Sequence, residues 1–291
     1  MQYSRVAAVT GANKGVGIGI VRNIALSYPT SPLHIGPLCI YLTARSTQRG
    51  EEALQTLHND PQLKKAGVLA EDGGETTIKF RELGISDPAS IHAFKDFLAK
   101  EHPQGIDILV NNAGIMLPGF DSTVVARTLA TNYHGTLVMT QTLLPLLRPG
   151  GRLVNLASMS GHLNKYSPAL ERAFVDAAET GGVPACTALM DRFRADVAEG
   201  EERRRGWPSA AYAVSKAGII AFTKAVAREE RERGSGVLVN VCCPGYVRTD
   251  MTRGGGPKSI DEGAKTPVLL AVGDIGGKTG EFWQHERVIK W

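Results

Sequence analysis

The chain lacks any apolar run of the roughly 20 residues that a membrane-spanning helix needs, so no membrane partner is expected. Cysteine is scarce: Cys39, Cys186, Cys242 and Cys243 show no metal-ligand spacing, and the adjacent pair cannot close an ordinary disulfide without strain. They read as reduced thiols, with no structural metal. Charge of one sign is also missing, because 33 basic residues stand against 29 acidic ones along the 291 residues, too even a balance for a nucleic-acid surface. The first residues run straight into the strand-like Arg5-Val6-Ala7-Ala8-Val9 rather than a leader-like segment, and a cytoplasmic location is the expectation. No Pro/Ser linker divides the chain and no internal repeat is visible, so residues 1–291 are expected to form a single domain.

What is present is a rhythm. Short β-branched runs at 5–10, 38–43, 76–83, 106–110, 152–157 and 236–242 alternate with longer helical patterns. That alternation predicts an α/β fold with a doubly wound parallel sheet of Rossmann type. The runs Ile108-Leu109-Val110 and Val237-Leu238-Val239 are apolar throughout, as strands covered on both faces are. A ligand crevice then lies beyond the carboxyl ends of the strands. Two stretches interrupt the rhythm, 59–75 and 163–208. Helical pieces are predicted at 170–179 and 189–205, and the second stretch reads as a helical insertion into the one domain.

After the first strand comes Gly11-Ala12-Asn13-Lys14-Gly15-Val16-Gly17-Ile18-Gly19, opening a helix predicted to run to about Tyr28. Glycines let the backbone turn tightly and approach a pyrophosphate, which the free N–H groups of a helix N-terminus attract. A glycine cluster alone is weak evidence, but strand before and helix after favour a cofactor loop over a structural turn. The second strand ends Thr43-Ala44-Arg45-Ser46 with no acid to hold the ribose hydroxyls of NAD. Arg45, with Lys14 as a second cation, suits a 2′-phosphate and so predicts NADPH.

On a helix predicted from near Ser209, Tyr212 and Lys216 lie four residues apart and share a face. A cation beside a phenol is expected to lower its pKa by about 1 to 3 units, towards acid/base use. Taken alone, such a pair is more often a core aromatic beside a solvated charge.

Taken together, Thr10-Gly11-x-x-x-Gly15-x-Gly17, Asn111-Asn112-Ala113-Gly114, Ser158 and Tyr212-x-x-x-Lys216 resemble, in order, the motifs of the short-chain dehydrogenase/reductase family. The resemblance implies that Ser158 hydrogen-bonds a substrate carbonyl, Tyr212 donates the proton, Lys216 binds the nicotinamide ribose, and Asn132 holds a water that feeds protons through Lys216. It implies cofactor contacts at Gly11, Asn13, Lys14, Gly15, Val16, Gly17, Arg45, Asn111, Ala113 and Gly114, and at Pro244, Gly245, Val247 and Thr249 towards the nicotinamide end. Where the family carries an aspartate for adenine, this chain has Gly84, which leaves the backbone of Gly84 and Ile85 to line that pocket.

Gly11-Ala12-Asn13-Lys14-Gly15, Cys242-Cys243-Pro244-Gly245 and Glu262-Gly263-Ala264-Lys265-Thr266-Pro267 are similar to the monomeric, NADPH-dependent carbonyl reductases. In that branch an insertion before the Tyr-Lys helix covers the surface that oligomeric members pair through, so a monomer acting on a small-molecule carbonyl is implied. Cys243 reads as a buried thiol, and as a substrate contact only by the resemblance. Glu201 to Arg205 reads as a solvated charged face. Two other functions stay open: a narrow-specificity biosynthetic ketone or alcohol oxidoreductase, and a regulator that senses NADPH without turnover. The substrate pocket is expected from 116–120, 163–166 and 251–256.

Overall fold

Val, Ile, Leu and Ala without polar alternation make strands that must be buried on both faces, and six such strands form the centre of the molecule. The computed structural model describes residues 3–291. Strands β1 (Arg5–Val9), β2 (Leu38–Ala44), β3 (Thr76–Glu82), β4 (Ile106–Asn111), β5 (Leu147–Leu156) and β6 (Leu238–Cys242) all pair in parallel, in the order β3-β2-β1-β4-β5-β6. The order reverses between β1 and β4, and there the carboxyl ends splay into a crevice. Helices α1 (Gly15–Ser27), α2 (Thr47–His58), α3 (Pro61–Ala66), α4 (Pro88–Glu101), α5 (Ser122–Thr128), α6 (Thr136–Leu143), α7 (Pro168–Asp176), α8 (Gly182–Ala198), α9 (Ala211–Arg233) and α10 (Ile260–Val272) cover both faces. Successive strand residues point to opposite sides, so Val6 and Ala8 join the core under α4, α6 and α9, while Ala7 and Val9 join the core under α1 and α10.

Two strands escaped the sequence pattern. β7 (Phe282–Gln284) adds in parallel to β6, and β8 (Arg287–Ile289) returns antiparallel to it. Their two-residue turn puts His285 and Glu286 at φ 51° and 57°. A tight hairpin of this kind wants positive φ at both positions, which Asn and Gly signal and His-Glu does not. Tertiary contacts hold it instead: Thr266 donates to the Glu286 carboxylate at 2.9 Å and accepts from the Glu286 N–H at 3.2 Å.

The stretch 59–75 is tied down by α3. Asp60 caps that helix by accepting from the N–H groups of Gln62 and Leu63, and its other oxygen takes Arg22 of α1 at 3.0 Å. Leu63, Val68 and Leu69 are buried in the α1/α10 core.

The helical insertion packs on α9. Leu170, Phe174, Met190 and Phe193 are buried there, and a side chain on Gly218 would meet the Met190 sulfur at 2.7 Å, so α8 and α9 touch closely. The second insertion helix begins earlier than the periodicity predicts, at Gly182, and stops at Ala198. The segment after it is not a solvated helical face. Arg205 turns back to pair with Asp196, which is only 3% exposed and also accepts the Trp207 indole N–H at 2.7 Å. A buried carboxylate held by a guanidinium and an indole outweighs helix propagation through exposed charges.

Candidate active site

The glycine loop occupies the crevice at the end of β1. Gly11 and Gly15 sit at φ 60° and 57°, where a side chain is strained, and a Cβ on Gly17 would lie 2.5 Å from the Gly11 carbonyl oxygen. Asn112 braces this turn, donating to the carbonyls of Thr10 and Gly11 at 2.8 and 3.0 Å, while the Thr10 hydroxyl accepts from the N–H groups of Asn112 and Ala113. Helix α1 starts at Gly15 with no side-chain cap and no acid in its first turn. Its leading N–H groups, with Val16 among them, are therefore free to meet an anion. The backbone from Gly11 to Gly17 has the form of a dinucleotide cradle, with Asn13 half-buried at its bend.

Arg45 is exposed at the end of β2 and forms no ion pair among the described residues. A Cβ on Gly84 would lie 3.8 Å from Arg45 Cβ, so an acid at position 84 would stand beside this arginine, and its absence leaves the guanidinium uncompensated. The Gly84 N–H is taken by the Ser90 hydroxyl at 3.0 Å, and Ile85 is buried beneath. Arg49, in the first turn of α2, is a second exposed cation, its N–H bonded to the Ser46 cap. Lys14 does not stand free: its ammonium is 2.7 Å from Asp250, with both side chains largely exposed. This pair spans from the glycine loop to the segment after β6.

That segment brings Pro244, Gly245, Val247 and Thr249 to the crevice. Thr249 Cγ2 lies 3.4 Å from where a Cβ on Gly15 would be, so the two loops touch. Val247 turns its side chain into α10 against Gly263, and its carbonyl accepts the Thr252 hydroxyl at 2.7 Å. Asn111 is likewise committed: its amide donates to Thr140 at 3.1 Å and Asn155 at 2.9 Å inside the core. Its side chain braces the sheet, and Ala113 and Gly114 carry the segment to the site.

The candidate catalytic side chains come from three elements. Tyr212 and Lys216 ride on α9, whose length and buried face fix both. Ser158 follows β5, where its hydroxyl accepts from the Ser160 N–H at 3.1 Å and the Ser160 hydroxyl at 3.0 Å. The Ser158 hydroxyl lies on the side of the Tyr212 phenol, close enough to oppose the rise in its pKa. Lys216 is buried, donates to the Leu156 carbonyl at 2.8 Å and stands 5.5 Å from the Tyr212 ring centre. A Cβ on Gly114 would come within 3.6 Å of the Lys216 ammonium and 3.2 Å of Asn132 Oδ1, so the bare glycine keeps the space between them open.

The electrostatics differ from the simple picture of a cation tuning a phenol. Burial pushes Tyr212 up to about 12, partly offset by the nearby Ser158 hydroxyl, and burial brings Lys216 down to about 8. The ammonium is turned to the Leu156 carbonyl, and desolvation of each group outweighs their attraction.

Asn132 sits in a wide helical turn, Leu129–Gly135, between α5 and α6. Its amide is fully used: it donates to the Ile115 carbonyl at 2.8 Å and to Ser215 at 3.1 Å, and accepts from the Ile115 N–H at 2.8 Å. The side chain staples the 111–115 segment to α9. Cys243 is 3% exposed, and its sulfur accepts from the N–H groups of Met159 and Gly245, both at 3.3 Å. It is a buried brace between the Ser158 turn and the segment after β6. Sequence reasoning missed Ser160 and Trp291, which reach the same turn. Neither lies in a motif, and only the folded chain brings them there.

Among the described residues no His, Cys, Asp or Glu cluster could hold a metal ion, and no helix is long and apolar enough to cross a membrane. The family model for short chain dehydrogenases matches residues 5–169 and 200–258. The stretch it passes over, 170–199, falls within the helical insertion. "Carbonyl reductase [NADPH] 1" of Macaca fascicularis is 39% identical over 99% of this chain and 98% of its own length, and that of Bos taurus is 40% identical over 98% of each. Among solved structures, salutaridine reductase from Papaver somniferum superimposes with a TM-score of 0.80 at 26% identity, covering 96% of this chain and 99% of that one. With a family model matching well over half its residues and full-length relatives near 40% identity, this chain belongs to the short-chain dehydrogenase family.

Proposed function

We propose that this chain is an NADPH-dependent carbonyl reductase that takes a ketone, aldehyde or quinone to the alcohol, with the carbonyl oxygen seated between Ser158 and Tyr212. The Ser158 turn packed directly on α9, which sets the Ser158 hydroxyl by the Tyr212 phenol with a buried lysine one turn along, carries the reading. Relatives named for NADPH and carbonyl reduction match the chain over nearly their full length.

The cradle suits the cofactor. The first-turn N–H groups of α1 and the bare Gly11, Gly15 and Gly17 would hold the pyrophosphate. Arg45 would meet the 2′-phosphate, joined by Lys14 once it leaves Asp250; an exposed pair of that kind holds it by about 0–1 kcal/mol. The backbone of Gly84, Ile85, Ala113 and Gly114 would line the adenosine side, and Pro244, Gly245, Val247 and Thr249 the nicotinamide end. When bound, NADPH supplies the hydride.

The chain's own groups handle the oxygen and the proton. With its pKa raised to about 12, Tyr212 keeps its proton at neutral pH and is ready to give it to the forming alkoxide. Ser158 donates to the same oxygen and steadies its developing charge. Lys216, at about 8, is still charged at neutral pH, and the Leu156 carbonyl uses only one of its three N–H donors. The others are left for the nicotinamide ribose and for a water chain. Since the Asn132 amide is engaged, the water falls to its backbone carbonyl in the wide turn. The insertion over α9 covers the face an oligomer would use, and we take the protein to be a monomer of one domain.

The test is NADPH oxidation against a panel of quinones, aromatic aldehydes and ketones. Tyr212→Phe should lower kcat by about 10²- to 10⁴-fold while NADPH still binds; undiminished turnover would remove the assignment. The panel also weighs a second reading. The close superposition on a plant salutaridine reductase favours a narrow-specificity biosynthetic reductase if only one compound on the panel is turned over.

A further inference from the structure

Trp291 lies beyond the β7–β8 hairpin, far in sequence from every motif, yet its indole N–H donates to the Gly161 carbonyl at 2.9 Å. Gly161 closes the short turn Met159–Gly161, which begins at Ser158. The Gly161 N–H returns to the Ser158 carbonyl at 2.9 Å, and the Ser160 N–H to the Ser158 hydroxyl at 3.1 Å. The orientation of the Ser158 hydroxyl is therefore set by this turn.

The turn is held from two sides. On one, a Cβ on Gly161 would meet the backbone of Lys216 and Ala217 at 2.8 Å, so the turn lies directly on the helix that carries Tyr212. On the other stands Trp291, its ring edge-on to Phe174 of α7 at 6.2 Å between centres. Phe174 is packed in turn on Tyr166 and Trp207 of the insertion. Phe282 of β7 adds a contact to His162, just past the turn. Gly161 is buried, so without the indole its carbonyl loses the partner that keeps the turn against α9.

We propose that Trp291 is a positioning residue for Ser158: by clamping Gly161 it presses the Met159–Gly161 turn onto α9 and holds the serine hydroxyl in register with the Tyr212 hydroxyl. The inference rests on Ser158 being the group that meets the carbonyl oxygen. It places the effect in the chemical step, because Trp291 contacts nothing in the glycine loop. A displacement well under 1 Å at a reacting group is worth a substantial part of the ~10²-fold that misplacement costs.

The experiment is a cycle of four full-length enzymes: wild type, Trp291→Phe, Ser158→Ala and the double variant, followed by single-turnover NADPH oxidation so that slow variants stay measurable. Phe keeps the ring against Phe174 and removes only the N–H. Trp291→Phe should lower the rate by about 10-fold with NADPH affinity, read by fluorescence, within twofold of wild type. In the Ser158→Ala background the same change should cost less than twofold, since there is no longer a hydroxyl to position. Trp291→His, which restores a ring N–H, should recover part of the rate and serves as the second variant if Phe fails to fold. An equal loss in both backgrounds, an unchanged rate, or a loss confined to NADPH affinity would overturn the proposal. A Ser158→Ala enzyme with undiminished turnover would instead remove the functional reading beneath it.

Discussion

The two halves of the sheet, divided where β1 meets β4, are built on different terms. On the proposed reading the β1–β3 half would hold the cofactor with backbone: bare glycines at Gly11, Gly15 and Gly17 and the uncapped start of α1, with Arg45 an unpaired cation beside them. The β4–β6 half brings together side chains from residues 132, 158, 212, 216, 243 and 291, each held by something else. In the first half function depends on side chains being absent. In the second it depends on long-range contacts being present.

That contrast can be broken deliberately. The largest effect is expected from Gly17→Ala, whose new Cβ would stand 2.5 Å from the Gly11 oxygen and 2.6 Å from the Asn112 amide nitrogen. Titration of the variant by fluorescence should show NADPH affinity down by about 10²-fold or more, with a lower unfolding temperature, because the turn itself must shift. Arg45→Gln should raise the KM for NADPH by about 10- to 10²-fold, the worth of a charge-assisted contact of ~1.5–3 kcal/mol, while the KM for NADH stays nearly level. If both cofactors suffer alike, the arginine serves the fold and not the 2′-phosphate.

In the other half the signature is a pH profile. Burial holds Lys216 near 8, so the ammonium is charged below that pH and lost above it. The kcat/KM for carbonyl reduction should therefore fall about tenfold per unit above pH 8, and Lys216→Arg should move the break beyond pH 10. The sign also holds for stability: a lysine whose folded pKa lies below its unfolded value costs most at low pH, and that cost disappears as pH rises from about 8 towards the unfolded value. The smallest change is expected from Asp250→Asn. It frees Lys14 from an exposed pair and should lower the KM for NADPH by about twofold at most, an effect that rising salt erases.

The same division explains what could be read from the linear chain. The parallel sheet, the tight glycine turn and the place of Arg45 at the end of β2 were legible because each rests on a local pattern, apolar runs in one case and contiguous residues in the others. The β7–β8 hairpin was not, since His285 and Glu286 hold a conformation that Thr266 imposes from α10. Glu201 to Arg205 was misread because the buried Asp196 that recruits Arg205 looks, in sequence, like any helical surface acid. The direction of the Tyr212 shift was missed for a related reason. Spacing gives the proximity of a lysine but not its desolvation or where its ammonium turns. Trp291 carries no signal at all short of the fold.

One feature of the core bears on how α9 keeps its place. Asn111 of β4 donates to Thr140 of α6 and Asn155 of β5, and Asn155 donates to Thr223 of α9, seven residues beyond Lys216. In an otherwise oily interior, this short string of amides and hydroxyls acts as a dowel between sheet and helix. Hydrocarbon surfaces tolerate sliding past one another, but a buried amide that slips loses its partner and finds no water to replace it. The helix is thereby denied the small axial slip that would carry its phenol out of line with the strand ends.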